Sequence, residues 1–376
     1  MGGVGEEETG GKDEEAEKID SVPMRRLPLL AILLVALFLA ACDSQTEVSS
    51  IAAEPVSAPA MGDICPALIS EEALSKPPAV PLTDPMIRIL AFGDFGEQPN
   101  RNTEPQRRVA AAMAGYHAEH PFDFGLVLGD NFYPAGLDRP DHPRWASQWE
   151  RLYSPLGIRH YAILGNHDYK SSASPAAQME RSRRSATWCL PRRQYTFTAG
   201  PVQLFAIDTT PVEEPRRDSG DAMADQLRWL DEALGASRST WKVVYGHHPV
   251  YTTGDHGDRI GYLPRVRDYL LPVLRKHKVD VYLAGHDHDL QALEPQDGVH
   301  FFVSGAAGRH LRGFESSRCR RWGTAQTYGF TVLETDAAGL SLRVSFVGYD
   351  EDKPYRVLWG PVAVEKGASS GCRTGR

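Results

Sequence analysis

Five apolar runs in this 376-residue chain end in the same way, and that repetition constrains the fold more than any other feature. Residues 87–92 end at Gly93-Asp94, 122–128 at Gly129-Asp130, 161–164 at Gly165-Asn166, 241–245 at Gly246-His247 and 279–284 at Gly285-His286. Short apolar runs bounded by glycine read as buried strands. Between them, residues 104–118, 144–153, 221–234 and 265–277 carry helical periodicity, and 202–207 reads as one more strand. Strands alternating with helices predict an α/β architecture with buried parallel strands. In open α/β sheets ligands bind beyond the carboxyl ends of the strands, so the polar clusters can converge on one edge. Glycine lets the backbone turn there with no side chain in the way. From about 299 to 359 the pattern changes to short β runs (301–303, 330–334, 341–347, 355–359), which predicts added antiparallel strands.

The clusters are Gly93-Asp94-Phe95-Gly96, Gly129-Asp130-Asn131-Phe132-Tyr133, Gly165-Asn166-His167-Asp168, Tyr245-Gly246-His247-His248-Pro249 and Gly285-His286-Asp287-His288. Alone, each is weak, because Gly-Asp at a strand end usually marks a turn and a single His is usually a hydrogen-bonded structural group. Together, at strand ends, their oxygens and nitrogens suit hard to borderline metals such as Fe, Mn and Zn. His286 and His288 would point to opposite faces of a strand, whereas in a loop they could straddle two ions. A carboxylate bridging two such ions is the usual device of two-metal hydrolysis.

These clusters resemble the motif set of the purple acid phosphatases, within the calcineurin-like metallophosphoesterases. Gly-Asp-Asn-Phe-Tyr and Gly-His-Asp-His-Asp-Leu-Gln are similar to the small, tartrate-resistant, animal-type enzymes, and the likeness runs from about Ile87 to Gly348. Generic members have a histidine in the first motif; here that place is Gly96, and Tyr133 stands in the second motif. The resemblance implies a four-layer α/β/β/α sandwich of two mixed sheets and a dinuclear metal centre. Asp94, Asp130, Tyr133 and His288 would hold Fe(III); Asp130, Asn166, His247 and His286 would hold Fe(II), Zn(II) or Mn(II), with Asp130 bridging. It also implies phosphate monoester hydrolysis below neutral pH by a metal-activated hydroxide, with His167 and His256 as candidates for the general acid. A phosphodiesterase or broad-specificity phosphoesterase shares the same metal core. A catalytically inactive envelope lipoprotein would be missing ligands, and here none is missing.

Other polar residues carry blander readings. Asp168 and Asp287 are expected to orient neighbours, and His248 either to support a ligand or to edge the substrate. His117, His120, His142, His160, His277, His300 and His310 lie outside the motifs and read as structural or exposed. Arg181, Arg183, Arg184, Arg192 and Arg193 read as a solvated stretch, with a rim that attracts anionic substrates as the sharper alternative.

The N-terminal part points to export. Met24-Arg25-Arg26, an apolar run and Leu39-Ala40-Ala41-Cys42 read as a lipoprotein signal peptide over 24–41 with Cys42 as the lipidated residue. Residues 1–23 precede it as an acidic, glycine-rich stretch, expected to be a non-native extension. Residues 42–85, rich in Ser, Ala, Pro and Thr, read as a flexible tether to a domain over 86–362, with 363–376 as a tail. The expected location is the bacterial cell envelope, membrane-anchored and facing the periplasm or exterior. Net charge is -8, but residues 1–20 hold eight acidic residues against two lysines, so the body is nearly neutral and lacks a nucleic-acid footprint. The family resemblance implies a phosphorylated small molecule as substrate, and the signal segment implies the membrane as partner. Cys65, Cys189, Cys319 and Cys372 suggest two disulfides in an oxidising compartment, and a Cys65–Cys372 bridge would staple the two ends of the domain.

Overall fold

The computed structural model describes residues 64–69, 76–82, 84–98, 100–214, 220–257 and 263–370. The leader, the signal segment, Cys42 and Cys372 lie outside the described residues. In chain order, β1 (Met86–Phe92), β2 (Phe124–Val127), β3 (Arg159–Ala162) and β4 (Trp188–Cys189) pair in parallel. β5 (Tyr195–Ala199) turns back antiparallel into β6 (Val202–Ala206), and β7 (Trp241–Tyr245) and β8 (Val281–Ala284) continue in parallel. β9 (Leu290–Leu293), β10 (His300–Ser304) and β11 (Arg320–Thr324) follow, then the antiparallel meander β12 (Gly329–Asp336), β13 (Leu342–Gly348) and β14 (Arg356–Ala363). The result is two seven-stranded mixed sheets, ordered β14-β13-β12-β1-β2-β3-β4 and β11-β9-β10-β8-β7-β6-β5.

The period-2 alternation of the strands sorts their side chains between two cores. Along the second sheet, Leu204, Val243, Tyr245, Val281, Leu283 and Phe302 face the first sheet. Their neighbours Phe205, Val244, Tyr282, Phe301 and Val303 face the other way, onto Leu230 and Leu234 of helix Gly220–Ala236 and Val266, Leu270 and Leu274 of helix Pro264–Lys276. Phe124 and Tyr161 meet Phe197 across the gap at ring distances of 5.7 and 4.2 Å. Helix Glu104–Glu119 covers the first sheet, where Tyr116 meets Phe330 edge-on at 6.2 Å. Each buried large apolar side chain contributes roughly 1.5–3 kcal/mol relative to an exposed one. The layers are thus helix, sheet, sheet, helix, as the family resemblance implies.

Several elements differ from the sequence expectation. The segment 144–153 is helical as expected, but its middle, Ala146–Glu150, is a π segment that runs into the turn Arg151–Tyr153. Within the expected tether, Ile64–Ile69 is a short helix with Leu68 fully buried, and Val80 bonds Thr198. At the other end Ser370 N–H reaches Pro295 O at 2.9 Å, so the packed body extends past both 86 and 362. The expected Cys65–Cys372 staple is replaced by Cys65–Cys189, which ties the short helix to β4. Cys319 is also disulfide-bonded.

Candidate metal centre

β1, β2 and β3 of one sheet and β7 and β8 of the other present their carboxyl ends to a single region. Three polar residues just past these ends adopt left-handed backbone: Asp94 (φ 61°), Asp130 (φ 48°) and His286 (φ 72°). For a residue with a side chain this costs roughly 1–2 kcal/mol, and such strain concentrates at functional sites. Local bonds hold it: Asp94 N–H donates to Gly129 O, His286 N–H to Asp94 Oδ2 at 2.9 Å and His167 N–H to Asp130 Oδ1 at 2.7 Å. The motif glycines are required by close approach. A Cβ on Gly165 would lie 2.3 Å from Asp130 Oδ1, and one on Gly285 would lie 2.5 Å from Asp94 Oδ2.

All seven residues expected as metal ligands lie together, in two groups. In the first, Tyr133 OH donates to Asp94 Oδ1 at 2.8 Å and lies 3.1 Å from His288 Nε2. In the second, His247 Nε2 lies 3.2 Å from Asn166 Oδ1 and 3.2 Å from His286 Nδ1. Asp130 joins them: its Oδ1 is 3.4 Å from His247 Nε2, and Asp94, Asp130 and His247 offer ligand atoms all within 4.8 Å of one another. Because β8 stops at Ala284, the segment 285–288 is a loop, and His286 and His288 reach different groups.

The hydrogen bonds behind the ligands fix their tautomers. His247 Nδ1 meets Leu128 O at 2.8 Å and His288 Nδ1 meets His310 O at 2.9 Å. A carbonyl only accepts, so each Nδ1 carries the proton and each Nε2 lone pair faces inward. His247 Nε2 therefore points a lone pair at a carboxylate and at an amide oxygen. Such crowding of acceptors is repulsive unless a cation lies among them, so the residues present fit a metal centre. Electrostatics agree. Burial, then Asp130, pushes the Asp94 carboxyl well up, and burial pushes the Tyr133 phenol well up. Burial drives His286 well down, lowers His247 and holds His288 at about 2. Without an ion these five groups are pushed toward their neutral forms; a bound cation reverses that balance.

Around this cluster, Asp287 accepts from Thr252 Oγ1, from His256 N–H and from His256 Nδ1–H at 2.9 Å, so it orients His256. The His256 ring lies 4.0 Å from the His286 ring. Asp168 accepts from Gly165 N–H, Asn131 N–H and Gln178 Nε2, which fastens the third motif to the second. His248 is buried behind the ligands with Nδ1 2.9 Å from Thr209 Oγ1. His167 lies against the Tyr133 ring at 4.5 Å, with Nδ1 2.7 Å from Pro134 O and Nε2 4.0 Å from Asp130 Oδ2.

Among the arginines after the third motif, Arg181 braces Glu150 and Trp145, and Arg183 and Arg184 pair with Glu180 on the surface. Arg193 stacks on Tyr169. Residues outside the motifs also reach the site. Arg309 lies 4.5 Å from the Tyr133 ring centroid, and Arg312 Nη1 is 2.8 Å from His256 Nε2. The signal for them is that β10, too, ends at a glycine, Gly305; the residues that follow are alanines, so a search for ligands passes over it.

A model of the calcineurin-like phosphoesterase family matches residues 87–290. Tartrate-resistant acid phosphatase type 5 of Homo sapiens is 30% identical over 319 residues, covering 74% of this chain and 96% of its own. Purple acid phosphatase 7 of Arabidopsis thaliana is 32% identical over 254 residues, 63% of this chain and 75% of its own. Among solved structures, GAP50, the anchor in the inner membrane complex of Plasmodium, aligns with a TM-score of 0.61 at 21% identity, over 75% of this chain and 90% of that one. The purple acid phosphatase PPD1 of yellow lupin aligns with a TM-score of 0.53 at 16% identity, over 69% and 51%.

Proposed function

Since the chain belongs to the calcineurin-like phosphoesterase family, among its purple and tartrate-resistant acid phosphatases, we propose that it is an exported phosphatase of phosphate monoesters. It is a phosphoester hydrolase with a dinuclear metal centre. The observation that carries the reading is the pair of buried ligand groups sharing Asp130. In this reading Asp94, Tyr133 and His288 hold one ion, Fe(III), and Asn166, His247 and His286 hold a divalent Fe, Zn or Mn. When bound, the ions supply Lewis acidity toward the phosphate oxygens and an activated nucleophile.

The chain's own residues then divide the remaining work. Asp287 holds His256 through Nδ1–H, which leaves Nε2 as the atom that would pass a proton to the leaving oxygen once it has taken one up. His167, with Nδ1–H held by Pro134 O, turns Nε2 toward Asp130 and Lys170 Nζ, and would steady the phosphate through Nε2–H only once that atom is protonated. The Plasmodium structure belongs to a protein described as an anchor, so fold alone does not separate hydrolysis from scaffolding. The full ligand set favours hydrolysis. Export is supported by the signal-like segment ending at Cys42 and by the Cys65–Cys189 bond, since disulfides persist in oxidising compartments. Lipidation of Cys42 would hold the enzyme on the bacterial envelope; Cys42→Ser should then move it from the membrane to the soluble fraction.

The test of function is a panel of p-nitrophenyl phosphate and bis-p-nitrophenyl phosphate across acidic to neutral pH, with metal analysis of the same sample. Faster monoester turnover below neutral pH is expected. Preference for the diester would favour the phosphodiesterase alternative.

A further inference from the structure

The loop after β10 reaches the site without belonging to any strand-end motif. Its backbone is bonded to two ligand loops: Arg309 N–H donates to Asp94 O at 2.8 Å and Arg312 N–H to His288 O at 3.2 Å. The two guanidiniums it carries are neutralised to different degrees. Arg309 pairs with Glu97, whose side chain is only 6% exposed. Arg312 uses Nη1 for both of two contacts, His256 Nε2 at 2.8 Å and Asp255 Oδ2 at 3.1 Å. A guanidinium can only donate, so His256 offers it a lone pair and no negative charge. Asp255 is 46% exposed, and water screens its attraction. A half-buried cation therefore faces the histidine assigned to the leaving group.

We propose that Arg312 is a specificity-determining residue that binds a second anionic group on the leaving part of the substrate. The class selected is phosphorylated compounds whose leaving part bears its own phosphate or carboxylate a few bonds from the scissile phosphorus. An arginine fork receives either group through paired N–H···O bonds. The incoming anion displaces Asp255 and His256 from Nη1, which leaves His256 Nε2 facing the leaving oxygen. This inference rests on the phosphoester-hydrolase reading.

The test compares the metal-loaded wild type with Arg312→Gln, Arg312→Lys, Asp255→Asn and His256→Asn. The substrates are pyrophosphate, phosphoglycolate and p-nitrophenyl phosphate, whose leaving group lacks a second anion. Arg312→Gln should lower kcat/KM for the first two relative to the third by about 10- to 100-fold, mainly through KM. Arg312→Lys should recover part of the loss, and Asp255→Asn should move the ratio the other way. Calorimetric binding of methylenediphosphonate, but not methylphosphonate, should weaken in step. A loss confined to pyrophosphate or to phosphoglycolate supports the proposal and names the anion. An equal loss on all three substrates, like that of His256→Asn, reduces Arg312 to a support for His256 and overturns it. Wild-type protein inactive on all three would remove the hydrolase reading and this inference together.

Discussion

Two regions of the same sheets are buried on opposite principles. At the carboxyl ends of β1, β2, β3, β7 and β8 the chain buries carboxylates, imidazoles and a phenol that crowd acceptor against acceptor. Where β11, β13 and β14 meet, it packs aromatics: fully buried Phe346 meets half-buried Trp322 at 5.1 Å and half-buried Trp359 at 5.8 Å. Burying polar groups that face other acceptors opposes folding, whereas burying aromatic surface drives it. The flank and the inter-sheet core thus carry the stability that offsets the strained, ion-seeking edge. Substitutions in the two regions should separate activity from stability.

The largest effect is expected at the edge. Asp130→Ala should lower p-nitrophenyl phosphate turnover by about a thousandfold or more, while the metal-free protein keeps or gains thermal stability because one buried carboxyl is gone. Retained turnover would break the contrast at its strongest point. Phe346→Ala, fully buried in the flank, should do the reverse and cost about 3–5 kcal/mol in denaturant unfolding with kcat intact. Asp287→Asn stands between the two regions in effect. It leaves the ligands in place and should slow turnover by about 10- to 100-fold with a changed alkaline limb of the pH profile; an unmoved profile would make Asp287 merely structural.

His160 sharpens the comparison because it is a polar group inside an aromatic setting, its ring 5.0 Å from that of Trp149. Burial holds it down to about 3, against about 6.5 in the unfolded chain. Between those values the unfolded chain binds the extra proton. Stability should therefore fall as pH drops from about 6.5 toward 3, by up to ~1.4 kcal/mol per pH unit from this group. His160→Leu should flatten that slope in urea titrations across the range. The smallest effect is expected on the surface: Arg184→Ala, which removes only an exposed pair with Glu180, should change stability by less than about 0.5 kcal/mol and leave KM unmoved.

The edge was more legible in the sequence than the flank, and the reason is physical. A buried parallel strand that must turn at once and present a ligand leaves a local mark, an apolar run, a glycine and a polar residue, and the five runs ending at Gly93, Gly129, Gly165, Gly246 and Gly285 all carry it. β4 has only two residues and pairs with β3, and β5, though joined to β6 by a tight turn, is fixed from the opposite sheet by Phe124 packing on its Phe197. The Cys65–Cys189 bond depends on two segments 124 residues apart meeting at the edge of the first sheet, which spacing cannot reveal. Arg309 and Arg312 were hidden for a related reason: their place at the site comes from backbone bonds to Asp94 and His288, and no motif encodes those.

The central claim is that two ligand groups share Asp130 and hold two ions. Anomalous diffraction from crystals of catalytically active protein tests it most directly. Two peaks are predicted, one among Asp94, Tyr133 and His288 and one among Asn166, His247 and His286, with Asp130 between them. A single peak in active crystals, or peaks away from these side chains, would contradict the account.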